Sequence, residues 1–155
     1  VPAILPLIII GVLVGPDIRQ RRSGPKRFQH FRWDGQTWLK SNMDNIPRGD
    51  ADIEAISDKD VSIYLENKTN DDVGEISRWD SFDGGASFNK SKVFLSRKNS
   101  GFVISALIDN PHPDARLIVA EKEDGSDFRK MYLLGDNGAI KRNQKEAEVL
   151  KNKTK

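Results

Sequence analysis

The sequence predicts an all-β protein, built as part of a β-propeller from four-stranded antiparallel sheets. Three observations lead to this prediction: short segments in which apolar and polar residues alternate, polar turns between them, and an aspartate-containing turn that recurs about every 50 residues. Alternation with a period of two places the apolar side chains on one face of a strand, whereas a helix repeats every 3.6 residues. Helical composition occurs only at 144–151, in a highly charged segment.

Composition limits the protein to a few classes. The 155 residues correspond to about one domain, long enough to bury a core without a disulfide or metal. The absence of cysteine excludes disulfides, thiolate zinc sites and a cysteine nucleophile, and two histidines are too few for a His-rich zinc site. Both ends of the chain are basic, while 33–140 carries a net charge of −7. Because phosphate binding needs basic groups on one folded face, we expect no nucleic-acid partner.

The first 15 residues are almost entirely apolar. A membrane-spanning helix needs about 20 apolar residues, and this run is shorter and interrupted by Pro2, Pro6 and Gly11. The run also lacks the basic start of a signal peptide. Its β-branched residues therefore predict a buried strand and no membrane span, with a hydrophobic anchor as the alternative. Since the sequence does not start with methionine, we expect it to begin inside a longer protein.

The first half of the chain is predicted to contain short strands joined by polar turns. The segment from Phe28 to Arg32 alternates apolar and polar residues, and the Asp34-Gly35 turn separates it from a second strand. A longer loop, 42–50, contains Pro47 and Gly49. The predicted strands of this half are 28–32, 37–39, 53–56 and 61–65.

The second half continues in the same way. A Gly84-Gly85 turn and a loop with two prolines at 110–113 separate its strands. The predicted strands are 75–80, 92–96, 102–108, 115–121 and 130–134. A helix as short as the charged segment near the end is marginal in water, so 143–155 is predicted to be a frayed or partly helical basic tail.

Three aspartate turns set the period on which the propeller prediction depends. Asp34, Asp83 and Asp136 lie in the segments WDGQTW, SFDGGASF and GDNGAI, with separations of 49 and 53 residues. A period near 50 built from short strands is typical of propeller blades, each a four-stranded antiparallel sheet.

The middle turn resembles the Asp box of the bacterial neuraminidase (BNR) repeat, S-x-D-x-G-x-T-W, with serine for threonine and phenylalanine for tryptophan. In such a turn the carboxylate accepts hydrogen bonds from nearby backbone N–H groups, and a glycine adopts the positive φ that other residues avoid. The terminal aromatic residue is expected to pack under the blade. The residues that match the box are Ser81, Asp83, Gly85, Ser87 and Phe88.

The other two turns resemble degenerate copies of the box. The first keeps Asp34 and ends in Trp38, but it lacks the leading serine and one glycine. The second keeps only Asp136 and Gly138. Their near-equal spacing strengthens the resemblance, which covers about residues 28–142.

The resemblance implies a sialidase-like propeller, a group that includes polysaccharide lyases and other glycan-processing enzymes. At about 50 residues a blade, the chain supplies about three blades, over residues 1–45, 46–97 and 98–142. A closed propeller needs about four or more, so we expect the chain to be the C-terminal portion of a longer protein whose remaining blades are its partners. The resemblance further implies an extracellular or periplasmic protein that acts on polysaccharide or another glycan, and an isolated chain without activity. A non-catalytic propeller module that binds a glycan or a protein is the alternative.

Three residues are candidates for binding the glycan. His30 lies between two aromatic residues of a predicted strand, and His112 lies in the loop with two prolines, where binding groups often occur. Arg48 is one of several arginines that could bind a carboxylate, as three converging arginines do in sialidase-like sites. His30 and His112 each have a simpler structural interpretation, as a strand residue and as part of a rigid turn. No catalytic residue is predicted.

Other side chains are expected to be structural. Tyr64 and Tyr132 lie in apolar strands, where core packing is the usual role, and the three tryptophans beside the turns are expected to pack the blades. The acidic clusters at 50–54, 58–60 and 71–72 lack the spacing of a calcium-binding loop, and solvated loop charge is their default interpretation. We therefore predict no metal site and no cofactor, with calcium at a propeller loop as the alternative.

Overall fold

The computed structural model describes residues 8–13, 27–125 and 129–140, which contain eleven strands and no helix. The strands are β1 (Ile8–Leu13), β2 (Arg27–Trp33), β3 (Trp38–Asn42), β4 (Asp50–Ala55), β5 (Val61–Lys68), β6 (Val73–Ser81), β7 (Asn89–Lys98), β8 (Ser100–His112), β9 (Ala115–Glu123), β10 (Arg129–Gly135) and β11 (Gly138–Ala139). The predicted tail at 143–155 lies outside the described residues.

The strands form three antiparallel sheets that follow one another along the chain. Sheet 1 has the order β1-β2-β3, sheet 2 the order β4-β5-β6-β7, and sheet 3 the order β11-β10-β9-β8. Within each sheet, strands that are consecutive in the sequence are neighbours in space, as short polar turns favour. The all-β fold class is therefore confirmed, while the assembly of these sheets as propeller blades stays a prediction.

Most strands lie where the alternation predicts them, but two regions differ. The 110–113 segment is not a loop: β8 continues through Asn110 to His112, which pairs with Ala115 across a two-residue turn. An irregularity in the β8–β9 pairing between Leu107 and His112 makes room for the proline there, because Pro111 has no N–H to donate to a ladder. The two-residue strand β11 was too short to show any alternation.

The centre of sheet 2, β5 and β6, is buried on both faces, and β5 shows this most clearly. Residues Val61 to Leu65 are all buried, so successive side chains fill two different cores. Ile63 belongs to a cluster that includes Met43 and Ile46 of the loop between β3 and β4. Tyr64 belongs to a second cluster, which joins sheet 2 to sheet 3 through Phe102, Leu117, Val119 and Leu134.

Candidate functional site

The three aspartate turns occupy the same position in their sheets. Asp34 lies between β2 and β3, Asp83 between β6 and β7, and Asp136 between β10 and β11. In each sheet this is the turn that joins the last two strands.

The Asp83 turn is closed by a set of short hydrogen bonds. The Asp83 carboxylate accepts bonds from the Ser87 N–H (2.9 Å), the Ser87 hydroxyl (2.6 Å) and the Ser81 hydroxyl (2.7 Å). The Ser81 oxygen in turn accepts the Gly85 N–H at 2.8 Å, and Gly85 has a φ of +85°. Phe88, at the end of the turn, is buried in the cluster with Met43. The bonds from Ser87 outweigh the desolvation of the carboxylate and lower the pKa of Asp83 to about 2.

The Asp34 turn has a similar geometry with fewer bonds. Asp34 Oδ1 accepts the N–H groups of Gln36 and Thr37, both at 2.8 Å, and these bonds lower the pKa of the carboxyl group. The expectation that the nearby tryptophans pack the blade stays a prediction for Trp38, which is 47% exposed and whose ring centroid lies 5.5 Å from that of Trp33. Trp38 lies on one face of sheet 1, and Arg32 lies on the other face and approaches Gly84 of sheet 2.

The Asp136 turn departs from the pattern, and its role as a degenerate box is corrected. Both carboxylate oxygens of Asp136 accept hydrogen bonds from the Arg116 guanidinium, from Nε and, at 3.1 Å, from Nη2. The turn is too tight for the carboxylate to reach back to its own backbone, because Gly135 pairs with Gly138 and only two residues lie between them. The Arg116 bonds lower the pKa of Asp136.

Arg116 belongs to a polar cluster between sheets 2 and 3, which we call the Arg116 cluster (Glu54, Tyr64, Arg78, Arg116 and Asp136). The Tyr64 hydroxyl donates to Glu54 Oε2 at 2.8 Å, and Arg116 Nη1 lies 3.4 Å from Glu54 Oε1. The Arg78 guanidinium lies over the Tyr64 ring, 5.8 Å from its centroid. Burial, together with the bond to Glu54, raises the pKa of Tyr64 to about 12, so its hydroxyl keeps its proton.

A second polar cluster joins the same two sheets, and we call it the Glu121 cluster (Arg97, Ser100, Glu121 and Tyr132). The Glu121 side chain is fully buried. Part of it is covered by Arg97, whose own side chain is about half exposed. Arg97 Nη1 donates to both carboxylate oxygens, at 2.9 and 2.8 Å, and Ser100 donates at 2.9 Å. Tyr132 completes the set with a hydroxyl bond to Glu121 Oε2. Desolvation raises the pKa of Glu121, but the Tyr132 and Ser100 bonds and the Arg97 charge outweigh it and the pKa is lowered.

The two clusters repeat one arrangement in opposite directions. Arg116 of sheet 3 reaches a glutamate–tyrosine pair of sheet 2, and Arg97 of sheet 2 reaches a glutamate–tyrosine pair of sheet 3. The core that includes Leu117 and Val119 packs between the same two sheets. Tyr64 and Tyr132 therefore do pack in the core, but their hydroxyls also carry the contacts between the sheets. The sequence gives no signal for these pairs, since their members lie 10 to 62 residues apart.

The residues predicted to bind a glycan lie in three different elements of the fold. His112 is 73% exposed and its Nδ1 accepts the Asp114 N–H at 3.2 Å, within its own turn. Arg48 is exposed in the loop between β3 and β4. His30 lies in β2 opposite Ile10 and Ser41, and its side chain lies outside the described residues. Two other arginines, Arg78 and Arg116, come together in the cluster described above, where carboxylates already neutralise them.

Among the described residues, no three histidine or acidic side chains converge as a metal site requires. A shallow depression of about 310 Å³ lies beside the β10–β11 turn, and Asp114 is the charged residue in its lining. Across this same part of the chain, no helix has the length and apolar character needed to cross a membrane.

Comparison with known proteins identifies relatives of one kind. No family model matches the chain. An ulvan lyase of Nonlabens ulvanivorans is 78% identical over 141 residues, which cover 91% of the chain and 30% of that enzyme. An ulvan lyase of Alteromonas sp. (strain LOR) is 37% identical over 86% of the chain and 28% of its own length. These relatives are polysaccharide lyases.

The solved structures that resemble the chain are also of an ulvan lyase. Two structures of a polysaccharide lyase PL25 ulvan lyase match 87% of the chain and 31% of theirs, with 31% identity and a TM-score of 0.68; one is bound to -[GlcA(1-4)Rha3S]-. The chain thus spans about a third of the length of the relatives it matches. The expected kinship with polysaccharide lyases is confirmed, whereas membership of the BNR-repeat family stays a prediction.

Proposed function

We propose that the chain is a segment of a polysaccharide lyase that degrades ulvan, in which its sheets are successive blades of a β-propeller. The observation that carries the proposal is the 78% identity to an ulvan lyase over 91% of the chain. An identity this high over nearly the whole segment argues against a different role for the same fold. The matched enzymes are about three times longer, so the activity belongs to a longer polypeptide.

The packing of sheet 3 supports the propeller. Val103, Ala120 and Met131 form a row across it, and Ile118 and Leu133 form the next row on the same face. This face points away from sheet 2, and Met131 is 59% exposed. Since each strand alternates, a second apolar face requires a second neighbour, and another blade is the neighbour that has the matching geometry.

The chemistry of the reaction supports an isolated segment without activity. A lyase that cleaves beside a uronic acid must neutralise its carboxylate, remove the C5 proton with a base, and protonate the departing oxygen. Among the described residues, the paired arginines of the Arg116 cluster are already bound to carboxylates, and Tyr64 is fully buried with its proton held. We therefore assign the catalytic groups to the rest of the longer polypeptide, and a supporting role to this segment.

The supporting role is to hold neighbouring blades in register. The Arg116 and Glu121 clusters fix sheets 2 and 3 to each other at two places around a shared apolar core. Hydrogen bonds of this kind have preferred directions, so they restrict sliding of the sheets more than apolar contact alone does. We also propose that the protein is extracellular or periplasmic, because a polysaccharide is too large to be taken up before it is cleaved.

The test compares the 155-residue chain with the longer polypeptide on ulvan, following the ultraviolet absorbance of the unsaturated uronic acid that elimination leaves. We expect the longer polypeptide to generate the signal and the short chain to generate none. Alginate serves as the control polymer, because it is a uronic acid polysaccharide without sulfate. A longer polypeptide that binds ulvan and never cleaves it would instead establish the alternative, a non-catalytic binding module. Cleavage by the short chain alone would contradict the assignment of the catalytic groups.

A further inference from the structure

The first strand of sheet 3 contains a bulge that changes which of its side chains face the core. In the pairing of β8 with β9, Ile104 lies opposite Val119 and Ala106 lies opposite Ile118. Ser105 is therefore an extra residue without an opposite number on β9. Such a residue breaks the regular alternation of the strand and bends it locally.

The bulge allows both Ile104 and Leu107 to pack against the core shared by sheets 2 and 3. In a strand with unbroken alternation, residues three positions apart point to opposite faces, so only one of the two could do so. Without the bulge, Ala106 would take the place of Leu107 on the core face. The position of the bulge therefore decides which side chain fills this part of the core.

Glu66 of sheet 2 contacts the backbone at this bulge. Its Oε2 accepts the Ile104 N–H at 2.6 Å, although the two residues lie 38 positions apart in the sequence. β8 is at the edge of sheet 3, so an N–H that points away from β9 needs an acceptor from another part of the protein. This bond holds the backbone of β8, whereas the Arg116 and Glu121 clusters join the two sheets through side chains.

We propose that Glu66 is a positioning residue that fixes the register of β8. By accepting the Ile104 N–H, it keeps the extra residue at Ser105 and keeps Leu107 on the core face. An acceptor for one particular N–H favours one register, because a shift by one residue presents a different N–H and turns every later side chain to the other face. This role of Glu66 does not depend on the proposed lyase activity.

The surroundings of Glu66 indicate that its acceptor oxygen matters more than its charge. Asp50 lies directly opposite Glu66 on β4, Asp52 is the next residue on that face, and β8 has no charged residue over 102–106. The cations on the same face of β5 and β6, Lys68 and Arg78, are bound to other carboxylates. Burial raises the pKa of Glu66, the bond from β8 opposes this, and the two aspartate charges raise it further. A neutral acceptor should therefore serve at least as well.

Amide hydrogen exchange of the longer polypeptide tests the bond. Glu66→Ala removes the acceptor, and we expect the Ile104 amide to exchange faster by about tenfold or more. Glu66→Gln keeps an acceptor oxygen, so this amide should stay slow. The matched control is Glu75→Ala, which removes a glutamate of β6 from the opposite face of sheet 2 and should not affect the amide. Unchanged exchange in Glu66→Ala would overturn the proposal.

Cross-linking tests the register itself. The chain has no cysteine of its own, and two introduced cysteines form a disulfide readily only when their strands place them opposite each other. The pair Ala106→Cys with Ile118→Cys reports the register with the bulge, and the pair Ser105→Cys with Ile118→Cys reports the register without it. We expect Glu66→Ala to slow the first cross-link and accelerate the second, each by about tenfold, and Glu66→Gln to change neither. Any other result for Glu66→Ala, including changes of the same sign in both pairs, overturns the proposal.

The glutamine variant keeps the test informative if Glu66→Ala fails to fold. Because folding raises the pKa of Glu66, its ionised form destabilises the fold at neutral pH relative to its protonated form. We expect the Tm of Glu66→Gln to equal or exceed that of the wild type at neutral pH. Any difference should shrink as the pH falls through the raised pKa and vanish below the ordinary pKa of glutamate. A lower Tm at neutral pH, or faster exchange of the Ile104 amide, would contradict the proposal.

Discussion

Removal of the Arg97 side chain is the sharpest test of how sheets 2 and 3 are joined. In the variant Arg97→Ala, Glu121 loses two hydrogen bonds of 2.9 and 2.8 Å and keeps only those from Ser100 and Tyr132. The carboxylate then carries a buried charge whose remaining cation is Lys130, its neighbour across the β9–β10 ladder. Loss of one partner of a buried ion pair costs about 3–5 kcal/mol, whereas an exposed pair contributes about 0–1 kcal/mol. Because Arg97 is 45% exposed, water would reach the carboxylate after truncation, and we expect a loss of about 2 kcal/mol.

Urea unfolding measures this loss as a lower midpoint at an unchanged slope. The matched control is Arg48→Ala, which removes an exposed arginine and is expected to cost less than about 0.5 kcal/mol. Combining Arg97→Ala with Glu121→Gln in a double-mutant cycle should give a coupling energy of about 1 kcal/mol or more. The argument that Arg97 and Glu121 join the two sheets would be refuted by a loss of unfolding free energy no larger than that of Arg48→Ala, together with no coupling energy between Arg97 and Glu121.

The same variant has an expected pH dependence. The lowered pKa of Glu121 means that the unfolded chain binds its proton more readily, so this group stabilises the fold above its ordinary pKa and stops doing so as the pH falls. Arg97→Ala removes one cause of the lowering, so the loss of stability in acid should begin at a higher pH. Identical acid-unfolding curves for the two proteins would contradict this expectation.

Three further substitutions test other parts of the fold. Asp83→Ala removes the acceptor of the turn bonds and is expected to cost about 1 kcal/mol at neutral pH, a value reduced for the exposure of the carboxylate. Since the pKa of Asp83 falls from 3.8 to about 2 on folding, this contribution should disappear between those pH values, and a gap between wild type and variant that persists at lower pH would contradict it. Gly135→Ala should cost about 1–3 kcal/mol because a Cβ would overlap the backbone of Asp114, while Gly101→Ala, with nothing within 4 Å, should leave the urea midpoint nearly unchanged. Tyr64→Phe should lower stability by about 1 kcal/mol through loss of the bond to Glu54, and no change in Tm would show that bond to be replaced by water.

The sequence by itself determined the local features of this protein. Alternation located most strands, since a period of two follows from the geometry of one strand. The turn around Asp83 was readable because its bonds join residues no more than four positions apart. The kinship with polysaccharide lyases could be proposed from the sequence because it was based on the Asp83 turn motif, whose residues are close together in the chain.

Tertiary structure alone decided which side chains meet between the sheets. Nothing in the sequence distinguishes Arg116 from the other arginines. The fold places it between Asp136 and Glu54, which lie 20 and 62 residues away in the sequence. The turn of Asp136 looked like that of Asp83, but its short span and the nearby guanidinium gave the carboxylate a different partner. Strand alternation fixes the face on which a side chain lies, whereas its partner across the interface depends on how two sheets are placed, and no local pattern encodes that placement.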